Sequence, residues 1–474
     1  MWVAGAPAHG DETFEVRSPY DGSLVAATSW ATDDQVEQAV RAARDVRLEA
    51  EALPLHVRAD ALAKVSATIA ERAEELARLI TAENGKPIMW ARAEVGRAVS
   101  VFRIAAEETR RWSGEALRLD TDKTAEGRLA YVRQVPKGPV LAISPFNFPL
   151  NLVAHKVAPA IAVGAPVVVK PAPKTPLSAL ALGEILAGTE LPHGMISVLN
   201  VPDESAAALV ADERLPVVSF TGSGPVGYDI QRAVPGKHVV LELGGNAAVV
   251  VCSDWTDDGD LDWAASRIAT FSNYQAGQSC IGVQRVFVAN SRYDDVIERL
   301  VAAVDGLAIG DPSDDKTQVG PVINEDAAAR IESWIGEAVA AGARVLVGGG
   351  RDGTSVQPTV LTDVPDDAKV SREEVFGPVL MVERVDDDAT AFARVNDSPY
   401  GLQAGVFTHS LQTAFAAHRE LEVGGVIIGD VPSYRADQMP YGGTKQSGVG
   451  REGIRYAMED FTYQRVMVLT GLDL

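Results

Sequence analysis

Of the two cysteines in the chain, Cys280 closes the stretch Phe271-Ser272-Asn273-Tyr274-Gln275-Ala276-Gly277-Gln278-Ser279-Cys280, whose small and polar residues leave a sulfur open to approach. A thiol titrates near pH ~8.5 and attacks as thiolate, so a nucleophilic cysteine needs a nearby base or oriented backbone N–H groups. An isolated cysteine is more often a small apolar filler. Cys252, in Val249-Val250-Val251-Cys252, reads that way. Cys280 has company. Glu242 sits between leucines in Leu241-Glu242-Leu243-Gly244-Gly245-Asn246, where apolar neighbours would raise a carboxyl toward neutrality and make it a base. Asn147 offers a side-chain amide in Ser144-Pro145-Phe146-Asn147-Phe148-Pro149, and Glu374 and Phe376 fall in Glu373-Glu374-Val375-Phe376-Gly377-Pro378. Taken singly, Glu242 reads as a solvated strand end and Asn147 as a turn residue. Together they supply a nucleophile, a base and an amide donor.

With Pro440-Tyr441-Gly442-Gly443-Thr444-Lys445-Gln446-Ser447-Gly448-Val449-Gly450-Arg451-Glu452, these motifs resemble the aldehyde dehydrogenase superfamily, in order and over nearly the whole chain. The resemblance implies a definite chemistry. An aldehyde carbon is too electron-poor to lose hydride, but a thiolate adduct can release it to a nicotinamide, leaving a thioester that water hydrolyses. It makes Cys280 the nucleophile, Glu242 the general base, and the Asn147 amide with the Cys280 backbone N–H the oxyanion hole. It carries Lys170 over as a ribose ligand, Gly222 and Ser223 as pyrophosphate contacts, Glu374 as the nicotinamide-ribose ligand and Phe376 as its neighbour. The cofactor is NAD or NADP. Many NAD users have glutamate where this chain has Pro173, and with Lys174 beside it the sequence leans toward NADP. Phe148, His155, Tyr274, Arg435 and Tyr441 fall at substrate-tunnel positions, and the donor-rich Arg435 and His155 favour a small hydroxylated or anionic aldehyde. The Asp437-Gln438-Met439 context looks like the lactaldehyde, glyceraldehyde 3-phosphate and phosphonoacetaldehyde branch. The alternatives are a CoA-acylating enzyme, against which Glu242 argues, and a structural or redox-sensing protein of the same fold. No metal is expected.

The elements that must position these residues read as α/β. Thr32-Asp33-Asp34-Gln35 predicts a capping box, and apolar spacing predicts a single helix over 55–83 ended by Asn84-Gly85. Val140-Leu141-Ala142-Ile143, Val167-Val168-Val169-Lys170, Ile196-Ser197-Val198-Leu199 and Val217-Val218-Ser219-Phe220 alternate with helices, which implies a parallel sheet covered on both faces. Gly222-Ser223-Gly224-Pro225-Val226-Gly227 is a literal GxGxxG, yet it comes late in the alternation, so only its local physics is kept: backbone N–H groups and a helix N-terminus open to phosphate. A further strand is expected over 283–288. With the resemblance, 1–117 and 137–244 form a parallel-sheet dinucleotide-binding domain, 245–457 an α/β catalytic domain, and 118–136 with 458–474 a small β oligomerisation arm, so a homodimer or homotetramer is expected. At 474 residues, 46% hydrophobic and 23% charged, the chain is ordinary globular material. Its net charge of −22 argues against nucleic acid or anionic membrane as partner. The expected location is cytoplasmic, since the N-terminus shows no signal-peptide pattern and two cysteines make no disulfide framework.

Overall fold

The computed structural model describes residues 1–473. Strands rich in Val and Ile, buried on both faces, build two large sheets. The first has eight strands in the order Ala6–Pro7, Trp2–Val3, Ile196–Val198, Val167–Lys170, Val140–Ile143, Val217–Thr221, His238–Glu242 and Gly448–Val449. Its five central strands are parallel, while Trp2–Val3 and Gly448–Val449 are antiparallel to their neighbours. The chain steps outward from Val140–Ile143 to Ile196–Val198, then returns to place Val217–Thr221 on the other side of its starting strand. Two successive connections therefore leave in opposite directions and open a crevice beyond the strand ends, where α/β sheets hold ligands. The Asn147 loop and the Gly222 turn lie at that crevice.

The second sheet has seven strands, Arg344–Val347, Thr359–Thr362, Val379–Val385, Arg285–Ala289, Ala248–Val251, Gln403–Phe407 and Gly425–Ile428, of which the last six are parallel. A third, antiparallel sheet joins Glu115–Arg118, Arg128–Pro136 and Thr462–Thr470. Thr32 caps the helix Asp33–Ala52 with both halves of the capping box: its hydroxyl accepts from Gln35 N at 3.2 Å, and the Gln35 side chain accepts from Thr32 N at 3.0 Å.

The helix expected over 55–83 is two helices, Leu55–Glu71 and Ala73–Asn84, broken at Arg72, where φ is −99° and ψ 19°. No glycine or proline marks the break. It re-aims the second segment so that Leu76 and Ile80 stay in the core with Leu62, Val65 and Ile69. The strand expected over 283–288 begins two residues later, because Val283 N donates to Phe271 O and Gln284 N to Ala247 O, which holds that pair in the loop behind Cys280. Among the described residues no helix is long and apolar enough to cross a membrane, and no acidic or His/Cys group could hold a metal ion.

Candidate active site

Cys280, Asn147 and Glu242 all line one cleft of about 980 Å³, which also takes in Lys170, Ser223 and Glu374. Three elements deliver the first three. Asn147 follows the strand Val140–Ile143, Glu242 ends the strand His238–Glu242, and Cys280 follows the helix Asp258–Asn273 through a tight turn. That turn is left-handed over three residues, with φ of 54° at Gln275, 52° at Ala276 and 69° at Gly277. Each of the two non-glycine residues costs about 1–2 kcal/mol there. The turn persists because side chains hold it: Gln275 Nε2 donates to Asn147 O, Gln278 Nε2 to Gln275 O at 3.2 Å, and Ile323 N to Gln278 Oε1 at 2.9 Å. Gly277 admits no Cβ, which would stand 2.0 Å from Gly377 O. The Asn147 amide donates one N–H to Gln278 O at 3.1 Å, which leaves its second N–H for a ligand oxygen.

Electrostatics around the sulfur come from a buried cluster. Cys280 Sγ lies 3.1 Å from the Tyr441 hydroxyl. Burial pushes the thiol up to about 12, the Tyr441 hydrogen bond pulls it down, and the Glu374 and Glu242 carboxyls oppose the thiolate. Arg435 stacks on the Tyr441 ring, 3.8 Å from its centroid, and donates to Glu452 Oε2 at 2.9 Å. Lys156 Nζ reaches Glu452 Oε1 at 3.2 Å. Burial alone would raise Glu452, but Lys156 and Arg435 hold it down at about 2. Glu242 is the reverse case. Burial and then the Glu452 charge push it well above the carboxylate range, and neither of its oxygens has a partner.

At the other end of the cleft, Ser223 precedes the helix Gly224–Ala233 without a side-chain cap, so the first backbone N–H groups stay open. Beside it Thr221 Oγ1 is buried and unpartnered. Lys170 Nζ donates to Asp203 Oδ1 at 2.6 Å. Glu374 accepts from Gly245 N at 3.0 Å and is raised to about 7 by burial. It also passes so close to Gly244 that a Cβ there would stand 2.3 Å from Glu374 Oε2.

A profile of the aldehyde dehydrogenase family matches residues 5–467. The chain belongs to that family. It is 43% identical over 470 residues to a 3-sulfolactaldehyde dehydrogenase of Priestia aryabhattai, covering 99% of this chain and 97% of the relative. The structure superposes with TM-score 0.97 on aldehyde dehydrogenase 21 of Physcomitrella patens, solved with the reaction product succinate, at 44% identity and covering 100% and 98% of the two chains. It superposes with TM-score 0.95 on the NADP complex of an NADP-dependent glyceraldehyde-3-phosphate dehydrogenase from Bacillus halodurans C-125, at 35% identity and covering 99% and 98%. This aldehyde dehydrogenase is an NAD(P)-dependent oxidoreductase, and the capless helix N-terminus with the orphaned Thr221 hydroxyl fits a pyrophosphate.

Of the residues singled out in the sequence of this dehydrogenase, Phe148, Pro173, Gly222, Tyr274, Phe376, Arg435 and Tyr441 also line the cleft. Lys174 is exposed outside it. His155 is a correction: expected on the tunnel wall, it is fully buried behind Arg435, whose Nη2 donates to His155 Nδ1 at 3.3 Å. The other ring nitrogen, which then carries the proton, stands 3.3 Å from Asp437 Oδ1. Burial and the Arg435 charge lower His155 to about 4, so the ring is neutral. Arg97, unassigned in the sequence, lines the cleft from the helix Ile88–Arg111 and donates to Asp437 Oδ1 at 3.1 Å. Glu452 and Lys156 were likewise missed.

Proposed function

We propose that this aldehyde dehydrogenase oxidises a small aldehyde bearing an anionic group to its carboxylic acid, with Cys280 as nucleophile, Asn147 in the oxyanion hole and Glu242 as the base that activates water. The observation that carries the substrate class is the pair Arg97 and Arg435: both line the cleft, and the Nε of each is buried with no partner. A buried N–H left unpaired is costly, and an anion on the substrate would satisfy both donors. Arg97, Arg435 and Lys156 face two carboxylates held ionised, Asp437 and Glu452. The relatives named for 3-sulfolactaldehyde and solved with succinate handle anionic compounds, which supports the reading.

In this mechanism the Cys280 thiol releases its proton to water in the cleft while the Tyr441 hydroxyl donates to the thiolate, and the sulfur then bonds to the carbonyl carbon as the carbonyl π pair moves to oxygen. Arg435, stacked on that ring, favours the charge. The free Asn147 N–H and the Cys280 backbone N–H receive the alkoxide; loss of one such donor typically costs about 10²–10³ in rate. NAD or NADP, when bound, would supply the hydride acceptor. Lys170, Ser223 and Glu374 would hold that cofactor in the cleft that Gly222, Pro173 and Phe376 also line, with Pro173 placing no carboxylate against a 2′-phosphate. Ionised Glu242 then deprotonates water, whose oxygen attacks the thioester carbon; the C–S bond breaks, the acid is released and Cys280 leaves as thiolate. The free oxygens and raised proton affinity of Glu242 suit that step and favour hydrolysis over transfer to CoA. The test is Cys280→Ala, which abolishes aldehyde oxidation while NAD and NADP still bind; retained turnover removes Cys280 from the reaction.

The functional unit is a homodimer or homotetramer in a cytoplasmic setting. In support, Thr462–Thr470 pairs on one side only and carries exposed Val466, Met467, Val468 and Leu469, and the free Cys280 suits a reducing compartment.

A further inference from the structure

The loop that carries Asn147 is pinned at both ends by side chains from elsewhere. Before Asn147, Asn84 Nδ2 donates to Phe146 O at 2.8 Å, and at the residue itself Gln275 donates to its carbonyl. After it, the helix Asn151–Val163 starts at Leu150 with no side-chain cap of its own. Glu94, on another helix, supplies the cap: its Oε1 accepts from Leu150 N at 3.0 Å and Asn151 N at 3.1 Å. Its other oxygen forms an ion pair with Lys86, and both side chains are fully buried. Lys86 Nζ in turn lies 4.1 Å from the ring centroid of Phe148, the residue after Asn147. A carboxylate at a helix N-terminus is favoured by the open N–H groups and by the helix dipole. A buried ion pair is otherwise a poor source of stability against apolar residues of the same size, and the backbone hydrogen bonds of this one go to Leu150 and Asn151, directly after the loop that aims the amide.

We propose that Glu94, held by Lys86, is a positioning residue for the oxyanion hole: it fixes the helix start and thereby the Asn147 amide relative to Cys280. The inference rests on the reading of Asn147 as oxyanion donor. Displacement of a reacting group by about 1 Å costs on the order of 10²-fold in rate, so loss of this cap slows hydride transfer without touching cofactor affinity.

The experiment measures the pre-steady-state burst of reduced cofactor and the Kd of NAD and NADP in four variants. Glu94→Ala/Lys86→Met, with neither cap nor buried charge, is expected to slow the burst roughly 10- to 100-fold at unchanged Kd. Glu94→Gln/Lys86→Met, which restores an acceptor for the two N–H groups, recovers to within a few-fold of the parent. Adding the alanine pair to Asn147→Ala costs little beyond Asn147→Ala itself, which general damage to the fold would not produce. A parental burst in the alanine pair, or full additivity with Asn147→Ala, overturns the proposal. Should the alanine pair not fold, Glu94→Asp keeps the charge and shortens the reach, and is held to the same slowing and the same refutation. Asn147→Ala alone separates the two readings: a parental burst there sinks the oxyanion assignment itself.

Discussion

Replacing Arg435 with methionine keeps much of the side-chain volume and removes the charge, and the structure sets the size of the effect. An anion hydrogen-bonded at the free Nε would lie about 4 Å from the centre of the guanidinium charge, worth about 4 kcal/mol at an effective dielectric of 20. The Glu452 carboxylate is bound to the same guanidinium at 2.9 Å on Nη2, so it would stand roughly 7 Å from that anion and repel it by about 2.4 kcal/mol. Lys156 still holds Glu452 ionised in the variant, so that repulsion is common to both proteins and cancels; the loss is the Arg435 term, about 4 kcal/mol, close to 10³-fold in kcat/KM. Arg435→Met also disturbs Glu242, but its work on water falls on every substrate alike. The diagnostic quantity is therefore a ratio. With saturating NAD or NADP, kcat/KM is measured by reduced-cofactor absorbance for a four-carbon aldehyde ending in a carboxylate and for butanal. The expected outcome is that the preference for the charged aldehyde falls by up to about 10³-fold, with Arg97 retaining the remainder. A ratio that does not move shows that Arg435 does not read charge, whatever happens to the absolute rates.

Glu242→Gln is expected to give a burst of reduced cofactor close to the parent's and a steady rate lower by about 10²–10⁴; equal slowing of both phases would remove its role in hydrolysis. Alkylation of Cys280 by iodoacetamide in the free enzyme should rise about tenfold per pH unit up to at least about pH 10, since burial holds the thiol near 12. A plateau at neutral pH would contradict that burial. His155 has its proton affinity lowered on folding, from 6.5 to about 4, so above 6.5 the neutral ring has no linkage cost. Below 6.5 the unfolded chain gains a proton that the folded one refuses, and stability falls through that interval by up to ~3 kcal/mol. His155→Asn should flatten the loss of Tm on acidification from pH 6.5 to 4, and an unchanged slope would mean that His155 titrates normally.

The reach of the sequence followed the locality of the signal. Cys280, Asn147 and Glu242 each sit in a short motif at the end of a strand or helix, and the reversal of strand order brings those ends together. Arg97 was invisible for the opposite reason: it lies mid-helix, and its job depends on which neighbour that helix meets. A weak sign existed for two residues. Glu94 interrupts the buried stripe Ala91, Val95 and Ala98, and Lys156 sits among Val153, Val157 and Ala160. A charge inside an apolar stripe demands a buried partner. Glu452 stood within a quoted motif, but its pairing with Lys156 and Arg435 is long-range. His155 was misplaced because a sequence position says which helix carries a ring, and not that Arg435 lies between the ring and the cleft. The kink at Arg72 left no trace in composition, since the apolar spacing continues through it.

The strand Gly448–Val449 closes the first sheet against His238–Glu242, and the residues around it, Tyr441 and Glu452, are the ones that tune the sulfur and the base. On the ribosome these are made long after the sheet they complete. A chain that stops short of them lacks the phenol beside the Cys280 sulfur and the carboxylate that adds to burial in lifting Glu242, and it lacks Ile454, Met458 and Phe461 from the core beneath the first sheet. Synthesis thus delays reactivity until the fold is almost finished, and fragments from early termination should leave aldehydes untouched.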